Sequence, residues 1–154
     1  MDLDPWLHFV HVLASTVWLG GGMTLSALAL RTRSASDPRP IAEFARVLPY
    51  VGIRILMPSV VIVLVTGVWM VLAGSEFSLS QFWVLLGLGL FAIAFLIGAV
   101  YMSRIGIQLD RAAQQATMDR ARLRVLLDRW IAGYAVVLVV LIVAVWDMVF
   151  KPGL

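Results

Sequence analysis

The sequence predicts an all-α integral membrane protein, an antiparallel four-helix transmembrane bundle with both termini outside. Three observations carry that expectation. Four long apolar runs occur at Trp6–Leu30, Val51–Ala73, Phe82–Met102 and Trp130–Phe150. Each is long enough for a helix to cross a hydrocarbon core about 30 Å thick, where backbone polar groups must be paired within the segment. Hydrophobic residues make up 62% of the 154, and mean hydropathy is +0.96, far above a soluble globular chain. Finally, basic residues fill alternate connections and are missing from the one between them.

The first run is read as a span. The chain opens Met-Asp-Leu-Asp-Pro without positive charge and then stays apolar for longer than a cleaved signal peptide does. Its basic residues, Arg31 and Arg33, follow the run. The connection to the second span adds Arg39 and Arg46, with Arg54 just inside that span. Here Ser36-Asp37-Pro38-Arg39-Pro40 is a turn and helix-start signal, so a short amphipathic piece should run from Ile41 into the second span. Pro49 and Pro58 should bend it. The next connection, Gly74 to Gln81, holds no basic residue and one acidic one, Glu76. The stretch after the third span carries Arg104, Arg111, Arg120, Arg122, Arg124 and Arg129. It reads as an extension of the third helix, a turn near Thr117–Asp119, and a lead into the fourth.

Basic residues favour the cytoplasmic side, which places the two arginine-rich connections inside. Trp6, Trp69, Trp83 and Trp146 then fall near the outer ends of their spans, with Trp130 and Tyr101 near the inner ends, as an interfacial aromatic belt would. The expected setting is the bacterial cytoplasmic (inner) membrane, multi-pass, with the lipid bilayer as principal partner. Four spans leave no room for a separate soluble domain, so residues 1–154 are read as one membrane domain. The basic balance is explained by topology and does not indicate nucleic acid. With no cysteine, disulfides, thiolate metal sites, iron–sulfur clusters and covalent c-type haem are excluded.

Chemistry has few carriers. His8 and His11 are the only histidines and lie three apart on the first helix, so they are neighbours. Asp4, His8, His11, Ser15, Trp18, Gly22 and Ser26 follow helical spacing and form one polar or small stripe, expected to face the bundle interior. Gly20-Gly21-Gly22 allows close helix approach. The outer ends should gather His8, His11, Asp147, Met70 and Met148, with Glu76 above. Ionisable residues inside spans are rare and usually functional. The plainer readings are an interfacial His8, a solvated or histidine-paired Asp147, and gap-filling methionines.

The segment from Leu7 to Gly21, with a histidine, a tryptophan seven residues on and a small-Gly pair, resembles the first helix of several related bacterial membrane families. Trp69 after Thr66-Gly67-Val68, and the terminal Met148-Val149-Phe150-Lys151-Pro152-Gly153, are further matches. Together they look most like a family of predicted integral membrane proteins of unassigned function. More distantly the chain is similar to the membrane-bound, haem-binding protoporphyrinogen oxidase family, whose first-helix histidine corresponds to His11. The third-helix lysine of that family has no counterpart in Phe82–Leu90. It also resembles the copper-resistance membrane domain family in its His…Trp-x-Gly-Gly helix.

The resulting expectation is a small b-type haem- or metal-associated membrane protein in redox or cofactor handling. His11, His8, Trp18 and Met148 are the cofactor candidates, and His11, His8, Asp147 and Met70 the metal candidates. The alternatives are a copper or small-solute transport component and a cofactor-free structural subunit. Two histidines on one face of one helix cannot ligate both sides of one haem. Within one chain the iron would be five-coordinate, or completed by Met148, Met70 or a second protomer. A homo-oligomer or a membrane redox partner is the corresponding partner expectation.

Overall fold

Apolar side chains pointing outward need lipid, and this chain has many. A computed structural model describes residues 4–73, 78–115 and 119–153. Within them, Leu72, Val149 and Phe150 are 66–68% exposed. Such a surface is stable only against hydrocarbon. Every regular element among the described residues is helical: α1 (Asp4–Arg33), α2 (Arg39–Val51), α3 (Met57–Ala73), α4 (Phe82–Leu96), α5 (Ser103–Ala113) and α6 (Arg120–Phe150). A first π-helical segment, Gly52–Leu56, joins α2 to α3, and a second, Ile97–Met102, joins α4 to α5. Four continuous helical stretches are therefore long and apolar enough to cross a membrane: Pro5–Arg33, Arg39–Ala73, Phe82–Ala113 and Arg120–Phe150. The second extends well beyond the apolar run that announced it, because the amphipathic lead-in is helically continuous with the span.

Local chemistry sets the helix ends. At α2 the Asp37 carboxylate accepts from the Arg39 N–H at 2.9 Å, and Pro40 sits in the first turn, where its missing N–H costs nothing. α6 is capped by Asp119, which accepts from the N–H groups of Ala121 and Arg122 at 2.9 and 3.3 Å. It stops at Lys151, whose left-handed backbone (φ 43°) returns its N–H to the Asp147 carbonyl at 2.8 Å. The first π segment has a cause in the sequence. Pro58 has no N–H to give the carbonyl four residues back. The ladder widens there, and Met57 donates to the Gly52 carbonyl five residues back.

α6 packs against α1, α2, α4, α5 and the second π segment, while α3 packs on α1. At the arginine-rich end α2 also packs on α5. Further along, their continuations α3 and α4 form no extended seam among the described residues. The main core lies at the arginine-rich end, around Ile41, Phe44, Leu109, Leu123, Leu127 and Trp130. A smaller cluster, Trp18, Val60, Ala94, Val137 and Leu141, holds the middle. Three hydrogen-bonded links tie α6 to the end of α1 and the turn after it: an Arg33–Asp128 ion pair, Arg124 to the Arg33 carbonyl at 3.1 Å, and Arg120 to the Ala35 carbonyl at 3.3 Å.

Two aromatic assignments change. Trp130 is 3% exposed, edge-on to Phe44 at 5.2 Å and stacked on Tyr134 at 5.0 Å. Trp83 is buried as well, and its indole N–H donates to the Gln81 side chain at 3.2 Å. Hydropathy marks where aromatic residues cluster along a span, but a helical face decides whether they meet lipid or core. Trp6, Trp69 and Trp146 are exposed as an interfacial belt requires.

Candidate functional site

α1 buries one row: Ala14, Trp18, Gly22, Leu25 and Ala29. The expected interior stripe therefore holds from Trp18 through Gly22. Toward the helix start it turns away from the core, leaving His11 half-buried and His8 exposed. The side chain of Asp4 and the residue Glu76 lie outside the described residues, as does Thr117 in the expected turn.

His11 faces α3. Its Nδ1 lies 2.9 Å from the Thr66 hydroxyl, which is buried and also sits 2.6 Å from the Ile62 carbonyl. A threonine hydroxyl has one proton. Donated to Ile62, it leaves the oxygen to accept from the imidazole. In that tautomer the ring proton is on Nδ1 and Nε2 keeps its lone pair; in the other, Thr66 donates to Nδ1 and the proton is on Nε2. Gly67 makes the close approach feasible. A Cβ there would stand 3.1 Å from His11 Cε1. Thr66 and Gly67 are the contacts of His11 that sequence reasoning passed over, although a hydroxyl in an apolar run was a usable signal.

Asp147 faces a different neighbour. Its side chain is fully buried, and a Cβ on Gly87 of α4 would stand 3.1 Å from its Oδ2 and 3.3 Å from Met148 Cε. Neither carboxyl oxygen has a hydrogen-bond partner among the described residues. The solvated or histidine-paired Asp147 is thus replaced by a carboxyl packed on a glycine. The expected gathering divides. His11 belongs to the α1–α3 pair, and Asp147 with Met148 to the α4–α6 pair. Met70 is half-buried on α3, one turn beyond Thr66. Among the described residues, no group of three or more His, Cys, Asp or Glu side chains is placed to hold a metal ion.

Trp18 is 6% exposed, with its ring edge-on to Phe91 at 5.8 Å. It forms one wall of a cavity of about 310 Å³ on the arginine-rich side of the middle cluster. Tyr134, another wall residue, is 6% exposed, and its hydroxyl has no hydrogen-bond partner among the described residues. Neither the cavity nor the phenol was anticipated. A tyrosine inside an apolar span was the only available hint.

Residues 5–152 match a family described as "Predicted integral membrane protein (DUF2269)". No curated protein and no solved structure matches the chain.

Proposed function

The chain belongs to that family of predicted integral membrane proteins, and from this premise we propose that it serves redox or cofactor handling by holding a b-type haem or a metal ion through His11. The His11–Thr66 contact carries the reading. Imidazoles that ligate metals usually give their other ring N–H to a fixed acceptor, which sets tautomer and orientation. In its Nδ1–H tautomer His11 has that arrangement, with Nε2 as the ligand atom. One oriented imidazole fits a single-ligand site, and His8 and Met70, each a turn away on its own helix, are the further donors in register. A bound haem or metal would supply electron-transfer chemistry. The chain's own part is to hold the imidazole and keep its proton on Nδ1. With the arginine-rich end in the cytoplasm, His11 works in the outer half of the membrane and the helices alternate in direction.

The test is the absorption spectrum and metal content of protein purified from cells supplied with haem precursor or copper. The expected result is a Soret band or a fixed copper stoichiometry that His11→Ala abolishes while the variant still inserts and folds. Thr66→Val should weaken retention by about 10- to 100-fold, the usual cost of losing a group that orients a ligand. Protein that retains neither cofactor, or that retains one equally in His11→Ala, overturns the reading.

A further inference from the structure

All eleven arginines lie toward one end of the molecule, where only five carboxylates, Asp37, Glu43, Asp110, Asp119 and Asp128, oppose them. Four of the arginines are held within the chain. Arg33 pairs with Asp128 and Arg39 with Asp37, while Arg120 and Arg124 donate to backbone carbonyls. The other seven have no hydrogen-bond or ion-pair partner among the described residues.

Two of these seven, Arg122 and Arg129, line an open pocket of about 520 Å³ where α5 packs on α6, with Gln108 supplying the α5 side. They are seven residues apart on α6, two turns, so they share a face, with Val125 between them. Arg104 and Arg111, also unpaired, lie one turn to either side of Gln108 on α5. Asp119 is in the lining too. Its Oδ1 accepts from the N–H groups of Ala121 and Arg122, and among the described residues no guanidinium pairs with it. Two unpaired guanidinium forks and an amide donor suit an oxyanion, phosphate above all.

The level of the pocket decides which phosphate. Arg129 directly precedes the apolar run that starts at Trp130, and Arg104 closely follows the one that ends at Met102. Both stand at the edge of the hydrocarbon. Arg122 is about 10 Å further out along α6. The headgroup layer is about 5–8 Å deep on each side of a bilayer, so the pocket crosses it. Its wall is partly apolar there. Val125 is 51% exposed, and Leu126 lies beside it in the lining. A soluble anion leaves that apolar surface wet, whereas a phospholipid covers it with its glycerol and first acyl carbons. The surplus of arginines also repels the ammonium of a zwitterionic headgroup. Basic pockets between helices at a membrane surface commonly hold acidic headgroups. We propose that the groove between α5 and α6 binds an acidic phospholipid, with its phosphodiester held by Arg122, Arg129 and Gln108 and its chains passing Val125 into the hydrocarbon. The site is separate from His11 and does not depend on it.

The test uses full-length protein in neutral detergent, titrated with dioleoylphosphatidylglycerol and read as the thermal midpoint against lipid concentration. Wild-type protein should be stabilised in a saturable way, and dioleoylphosphatidylcholine should not reproduce the rise. Arg122→Gln with Arg129→Gln should need about 30-fold more lipid for the same rise, the loss of two basic contacts at a membrane surface. Arg46→Gln with Arg54→Gln removes the same charge outside the pocket and should respond like wild type. Arg122→Lys with Arg129→Lys keeps both charges without the planar fork and should fall between wild type and the double glutamine variant. No rise with phosphatidylglycerol overturns the proposal. Equal weakening in the two double glutamine variants also overturns it, since attraction to net charge alone would then suffice. Inorganic phosphate giving the same rise at the same concentration assigns the pocket to a soluble anion and overturns it as well.

Discussion

Three consecutive glycines on α1 stand in three different environments. A Cβ on Gly20 would meet nothing within 4 Å, one on Gly21 would come 3.0 Å from Leu56, and one on Gly22 would come 2.5 Å from the Tyr134 ring. Replacement by alanine should therefore give a graded series. Gly20→Ala gains helix propensity and should stabilise by up to about 1 kcal/mol. Gly21→Ala requires only that the flexible end of Leu56 yields. Gly22→Ala pushes against a stacked aromatic pair and should cost about 1–3 kcal/mol. Thermal midpoints in one detergent would check the order, and a Gly22→Ala variant as stable as Gly20→Ala would contradict the packing described. The sequence showed that these glycines permit close contact. It could not show which one is used, since that depends on the rotation of α1 about its axis. The same rotation left His8 exposed and brought His11 to Thr66.

At the level of elements, boundaries were legible where side chains cap backbone groups. Asp37 and Asp119 both sit where such a residue accepts otherwise unpaired N–H groups. Asp119→Ala should lower stability by about 1 kcal/mol, and Asp119→Asn by less, since asparagine can still accept. Equilibrium unfolding in mixed micelles would measure this. A neutral alanine variant would mean that the start of α6 is held by the arginine links to α1. The π segments were not legible. Pro58 announced a disturbance, but a widened turn and a kink answer the same missing N–H, and packing chooses between them.

For the whole molecule, hydropathy and arginine placement revealed four spans because the bilayer demands length and apolarity of any helix that crosses it. Reporter fusions at Ser36 and Thr117 should be cytoplasmic and one at Gly74 external. A cytoplasmic Gly74 reporter would reverse the placement of His11. The candidate site was half legible. His11 could be named from depth and type, whereas its acceptor and the separation of Asp147 from it depend on which helices are neighbours. Those neighbours also bear on how the protein is made. α6 leaves the ribosome after the five helices that precede it, yet it is the element packed against α1, α2, α4 and α5. Until its 31 residues emerge, on the order of 2–6 s at ordinary synthesis rates, the earlier spans must wait in the membrane without their shared partner. During that interval the buried faces of α1 and α4 are open to lipid, to insertion chaperones and to membrane proteases. A nonsense codon before Arg120 should consequently yield a fragment that inserts but is degraded.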